Sequence, residues 1–163
     1  MDGFRESFPF INRRADAVAF IDGSEKHKNI HGRVLFYETS GGVIVRTEIT
    51  GLPSGEGACD KPIFAYHIHS GGRCSGNEND PFADAGMHYN PNECPHPYHA
   101  GDMPPLFGAN GNAFSVFLTD RFKVTDVIGK TVIVHALPDD FTTQPSGNSG
   151  EKIACGVITP TAR

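Results

Sequence analysis

Six of the eight histidines fall between positions 67 and 135, and their spacing suggests metal ligation. They read as His67-x-His69, then His88-Tyr89-Asn90-Pro91, then His96-x-x-His99-x-x-Asp102, then His135 at the end of the apolar run Thr131-Val132-Ile133-Val134. Imidazole suits zinc and copper, whereas magnesium and calcium prefer oxygen ligands. His88, His96, His99 and Asp102 make three imidazoles and a carboxylate, a closed set of the kind tetrahedral Zn²⁺ accepts. Residues two apart on a strand face the same way, so His67 and His69 can present two rings to one ion. Alone, such a pair is more often two surface histidines than a site. The company of His135 changes that reading, because three or four imidazoles with an open position suit a redox-capable copper ion. His27 and His31 lie upstream in a polar stretch and read as surface residues.

Short stretches of β-branched and aromatic alternation must position these side chains. They cover residues 15–22, 33–39, 43–50, 63–69, 113–118, 131–135 and 153–158. Turn signals separate them, among them Ser40-Gly41-Gly42, Gly51-Leu52-Pro53, Asn110-Gly111 and Gly147-Asn148. No window has helical periodicity, so the expected class is all-β, a sandwich or barrel. Residues 70–108 and 137–150 are too long and too rich in Gly, Pro, Asn and Asp to be hairpin turns. Long loops on a rigid β scaffold commonly carry function, and the first of these holds most of the candidate ligands.

A chain of 163 residues suits one buried core, so a single domain spanning 1–163 is expected, with 1–15 as a tail or edge segment. The net charge of −5 and the lack of any basic run exclude a general nucleic-acid binder. No apolar stretch could span a bilayer, and the first residues lack the apolar run of a signal peptide. A cytoplasmic protein or the mature form of an exported one is expected, and the compartment stays open. Cys59, Cys74, Cys94 and Cys155 permit three pairings among which spacing does not choose.

Over residues 32–158 the chain resembles the Cu/Zn superoxide dismutases, of the bacterial type. The resemblance rests on Phe64-Ala65-Tyr66-His67-Ile68-His69, Gly86-Met87-His88-Tyr89-Asn90-Pro91, His99-Ala100-Gly101-Asp102, and Ile128-Gly129-Lys130-Thr131-Val132-Ile133-Val134-His135. Gly147-Asn148-Ser149-Gly150, running into Ala154-Cys155-Gly156-Val157-Ile158, completes it. The implied fold is a Greek-key β-barrel or flattened sandwich with two long functional loops. The implied cofactors are copper on His67, His69, His88 and His135, and zinc on His88, His96, His99 and Asp102, with His88 shared. Asp139 matches an aspartate that accepts hydrogen bonds from His67 and His96. Cys74 and Cys155 match the family's disulfide, and Cys59 with Cys94 are expected to form a second bridge rather than stay as free thiols. The implied activity is disproportionation of superoxide to O₂ and hydrogen peroxide, with His88 taking a proton as it releases copper and zinc tuning that ring. Superoxide is then the substrate, and a homodimer is compatible with the resemblance.

Three departures qualify it. Lys152 stands where the family places an arginine beside copper, keeping the charge but losing the planar fork. Residues 137–150 carry only Asp139 and Asp140 as charges, so anion guidance would fall to Lys130, Arg121 and Lys123. The His96 to His99 spacing is also shorter than in many relatives. The alternative reading is a non-catalytic dismutase-like domain that stores or delivers copper or zinc; a purely structural β-sandwich would bind no stoichiometric metal.

Overall fold

The computed structural model describes residues 13–162. Nine strands follow in chain order: β1 (Ala17–Gly23), β2 (His31–Thr39), β3 (Gly42–Thr50), β4 (Ile63–Phe64), β5 (Tyr66–His69), β6 (Leu106–Phe107), β7 (Ala113–Thr119), β8 (Thr131–His135) and β9 (Lys152–Pro160). One α-helical turn, α1 (Val124–Val127), links β7 to β8. Every stretch expected to be extended contains a strand. The stretch 63–69 is broken at Ala65, and β6 and α1 are too short to leave a periodic signal. Of the segment 1–15, residues 1–12 lie outside the described residues. Arg13 Nη1 donates to the Glu38 carbonyl at 2.9 Å and Ala15 is buried, so the chain entering β1 is tied down.

Seven strands form one curled antiparallel sheet in the order β5-β8-β9-β1-β2-β3-β7. The strands β1, β2 and β3 are a meander whose two-residue turn pairs Thr39 with Gly42, and the Thr39 hydroxyl donates to the Gly42 carbonyl at 2.6 Å. The two outer strands, β5 and β7, are bridged by the β4-β6 ribbon, since β4 continues into β5 and β6 lies against β7. The result is a curled half-barrel, within the sandwich-or-barrel class expected from the alternation.

Period-two burial drives the curl. Ala17, Ala19 and Ile21 of β1 and Val43, Val45, Thr47 and Ile49 of β3 point inward, while Phe20 and Asp22 face solvent. Phe36, Phe64, Tyr66, Ile68, Leu106, Val132, Val134 and Ile153 complete one continuous apolar core. The buried Tyr66 hydroxyl meets Thr47 Oγ1 at 2.7 Å, so this phenol has a partner.

Strands β5 and β8 depart from this alternation because every residue in both is buried. Their inner faces carry Tyr66, Ile68, Val132 and Val134; their outer faces carry His67, His69 and His135 beneath the two long loops. Cys74 in the first loop is disulfide-bonded to Cys155 in β9, which fastens that loop to the sheet. Among the described residues no helix is long and apolar enough to cross a membrane.

Candidate metal centre

Backbone pairing, rather than loop packing alone, sets where the ligands stand. The edge of β5 not paired with β8 is covered by two pieces of the first long loop. Tyr89 N–H donates to the Ile68 carbonyl and Ile68 N–H to the Gly101 carbonyl, both at 2.8 Å, and Ser70 N–H reaches the Met87 carbonyl at 2.8 Å. These bonds place His88 opposite His69 and Asp102 opposite His67. Gly101 is required here, since a Cβ on it would lie 2.2 Å from the Ile68 carbonyl oxygen. On the other edge, His135 ends β8 in register with β5, whose His67 faces Ile133.

Two clusters result. In each of His67, His69, His88, His135 and His88, His96, His99, Asp102, one ligand atom per residue lies within 4.8 Å of the others. His88 belongs to both. Its Nδ1 sits 2.7 Å from Asp102 Oδ1 and 3.3 Å from His99 Nδ1, while its ring centre lies 4.0 Å from that of His67. The remaining rings are oriented from behind. His69 Nδ1–H donates to the Gly86 carbonyl at 2.8 Å and His135 Nδ1–H to the Gly150 carbonyl at 3.3 Å, leaving their Nε2 atoms 3.3 Å apart.

Asp139 joins the clusters. Its Oδ2 accepts from His67 Nε2 at 2.7 Å and its Oδ1 from His96 Nε2 at 2.8 Å, so the Nδ1 atom of each ring is turned inward. Gly147 makes room for this bridge. A Cβ there would lie 2.0 Å from Asp139 Oδ1 and 2.7 Å from His96 Nε2, and its φ of 68° also favours glycine.

Two side chains absent from the expected ligand sets hold the loop around His96 and Asp102. Gln144 brackets His96, accepting its N–H at 2.9 Å and donating to its carbonyl at 2.7 Å. Arg121 Nη1 is shared among the carbonyls of Pro97, His99 and Asp102 at 3.1, 3.2 and 3.3 Å. Neither has a sequence signature, because a side chain that grips backbone imposes no residue pattern on what it grips.

The electrostatics favour neutral, ligand-ready imidazoles. Burial drives the His135 pKa down to about 3, and it likewise lowers those of His67, His69 and His99. For Asp139 burial pushes upward, yet hydrogen bonds from His67, the Phe141 N–H and His96 outweigh it and hold the carboxyl well below its usual range. Asp102 is lowered too, its burial being overcome by the His88 hydrogen bond and the neighbouring rings.

Cations would give the three unpartnered ring nitrogens of the clusters something to bind. His67 Nδ1, His88 Nε2 and His96 Nδ1 are buried with no hydrogen-bond partner among the described residues. His96 Nδ1 comes within 3.1 Å of Asp102 Oδ2 but outside hydrogen-bonding geometry. Each orphan costs about 1–3 kcal/mol unless something accepts its lone pair. Copper on the first set and zinc on the second fit these donors: nitrogen atoms for both, with one carboxylate on the zinc side.

Other expected residues land as follows. Lys152 opens β9 as the register partner of His135, but it is ion-paired with Asp80 rather than free. Arg121 is engaged with carbonyls, and Lys130 Nζ lies 4.5 Å from the Tyr89 ring centre, so two of the three cations expected to guide anions have local partners. Lys123 precedes α1, its N–H donating to Asp126 Oδ2 at 2.9 Å. His27 meets Ser24 and His31 meets Asp22, both away from the clusters. The second bridge expected between Cys59 and Cys94 is absent, and both thiols are free. Each is committed to its own turn: Cys59 is exposed where Asp60 N–H closes onto the Gly57 carbonyl, and the Asn90 side chain brackets the Cys94 backbone.

Fold and site together define an all-β protein with two adjacent metal-binding clusters joined through one imidazole. The family model "Copper/zinc superoxide dismutase (SODC)" matches residues 30–158. A superoxide dismutase [Cu-Zn] from Legionella pneumophila is 35% identical, the match covering 78% of this chain and 76% of that protein. A second, from Aquifex aeolicus, is 32% identical over 78% of each. The solved Cu/Zn superoxide dismutase from Brucella abortus superposes with a TM-score of 0.72 at 22% identity, covering 86% of this chain and 98% of that one, which speaks for the fold. The chain belongs to the copper/zinc superoxide dismutase family.

Proposed function

We propose that this protein disproportionates superoxide, with copper held by His67 Nδ1 and the Nε2 atoms of His69, His88 and His135, and zinc held by the Nδ1 atoms of His88, His96 and His99 with an Asp102 oxygen. The observation that carries the reading is His88, which belongs to both clusters, with Nδ1 beside Asp102 and His99 and a buried Nε2 that has no hydrogen-bond partner among the described residues. Copper, when bound, supplies the one-electron cycle between Cu(II) and Cu(I) that converts two superoxide anions and two protons into O₂ and hydrogen peroxide.

The chain's own residues do the rest. His88 Nε2 is the nitrogen on which a proton can be held beside the reacting anion, because Nδ1 is committed to the zinc side. Asp139 fixes one ring of each cluster, so the two sets cannot reorient independently. Burial favours the neutral form of His67, His69, His99 and His135 and keeps their lone pairs for the metals. Lys152, the register partner of His135, is the cation assigned to meet the anion.

Reconstituted protein should bind one copper and one zinc per chain and disproportionate superoxide. Full occupancy without turnover would instead mark a copper- and zinc-storing or delivering protein. That second reading is favoured by one observation, the pairing of Lys152 with Asp80. A second copy of the chain is the macromolecular partner supported here, through Phe114, Val116 and Leu118, which face outward on the edge strand β7. Sedimentation of wild type against Leu118→Lys tests this: a dimer that becomes a monomer is expected, and a monomeric wild type sinks it.

A further inference from the structure

Four charges beside the copper cluster cancel in pairs. Lys152 is the register partner of His135 across β8 and β9, at a bulge that interrupts the pairing after Val134 and re-aims the bulged strand. Its ammonium donates to Asp80 Oδ2 at 2.7 Å and to the Phe82 carbonyl at 3.2 Å, and its side chain is only 15% exposed. Lys26 stands 3.6 Å from Glu151. All four residues line one pocket of about 390 Å³ together with Asn79, Pro81 and Gly150, and it adjoins the copper cluster through the Gly150 carbonyl, which accepts from His135 Nδ1. An anion entering here meets two cations and two carboxylates.

The Asp80 carboxylate is built into position. Asn77 Oδ1 accepts the Asp80 N–H at 3.1 Å, Asn77 N–H donates to the Asp80 carbonyl at 2.9 Å, and Asp80 Oδ1 accepts the Phe82 N–H at 3.0 Å. Cys74 then fastens this loop to β9 at Cys155, three residues from Lys152. With both ends fixed, the pair is held in place rather than formed by chance between mobile surface groups.

We infer that Asp80 sets the anion affinity of the copper pocket, holding Lys152 as a neutral pair and so keeping the attraction of superoxide weak. This rests on the copper assignment made above. Asp80 is a positioning residue that acts through Lys152. Two consequences follow. Turnover in the natural protein depends little on ionic strength, because no net charge draws the anion in. Removing the carboxylate leaves an uncompensated unit charge, which at about 6 Å in a wet mouth raises the affinity for a monoanion about threefold to tenfold.

The experiment uses copper- and zinc-loaded wild type, Asp80→Asn, Lys152→Gln and the double variant, with azide as the monoanionic probe read from the copper visible spectrum. At about 10 mM ionic strength, where the Debye length is roughly 30 Å, Asp80→Asn should bind azide about threefold to tenfold more tightly than wild type. The gain should shrink with added salt and vanish in the Lys152→Gln background. An Asp80→Asn affinity equal to or weaker than wild type overturns the inference, as does a gain that survives without Lys152. Should Asp80→Asn not fold, the wild type decides alone, since a steep fall of its azide affinity with salt is the opposite of what a neutral mouth requires. Azide behaviour as expected in a protein without turnover would remove the dismutase reading and leave this one standing.

Discussion

Replacing Asp139 by alanine should weaken both metals together, by similar factors. The carboxylate accepts from His67 at 2.7 Å, from His96 at 2.8 Å and from the Phe141 N–H at 2.7 Å. His67 belongs only to the copper set and His96 only to the zinc set, so each metal loses the orientation of one ring. A hydrogen bond to a charged acceptor contributes about 1.5–3 kcal/mol net. If most of that is lost from binding, each affinity falls roughly tenfold to hundredfold, the range usual when such supporting partners are removed. Asparagine should do almost as badly, because it offers one acceptor oxygen where two ring N–H groups need one each. The assay is chelator competition on metal-free protein, for zinc alone and then for copper on zinc-loaded protein. A loss confined to one metal, or below about threefold for both, would refute the argument that this carboxylate couples the clusters.

Three further outcomes are expected. Removing the Cys74–Cys155 bridge, which spans 81 positions, should cost about 4–5 kcal/mol on a chain-entropy estimate, read as a lower urea midpoint in the Cys74→Ser/Cys155→Ser protein. Arg121→Ala should weaken zinc several-fold while sparing copper, since its three carbonyl partners all lie in the segment bearing His99 and Asp102; equal loss of both metals would count against this. Metal-free protein should lose stability as pH falls below about 6.5. The unfolded chain then takes up protons that His67, His69, His99 and His135 resist when folded, and the loss continues toward the His135 pKa of about 3. Chemical denaturation from pH 7.5 to 5 checks it, and a flat profile would contradict the burial of neutral rings.

Much of the site was legible before any coordinates. Ligand chemistry is confined to few residue types, and His67-x-His69 on a strand already implies two rings on one face. Alternation placed seven strands because an antiparallel sheet with one face in the core writes its period into the chain. The expected bridge between Cys59 and Cys94 failed for a complementary reason. Thiol spacing carries no distance information, and the Cys94 backbone is held in its own turn by Asn90 while Cys59 stays exposed.

By itself, then, the amino-acid order determined which side chains could bind metals, that they ride on a β scaffold, and that two loops cover them. Only the tertiary structure decided how the clusters are tied. It revealed that His88 belongs to both clusters, that Gln144 and Arg121 grip ligand-bearing backbone, and that Asp80 is ion-paired with Lys152. Such contacts join residues far apart in the chain through single hydrogen bonds or ion pairs. No period or spacing encodes them, because their geometry exists only after the sheet has curled and the disulfide has drawn the first loop against β9.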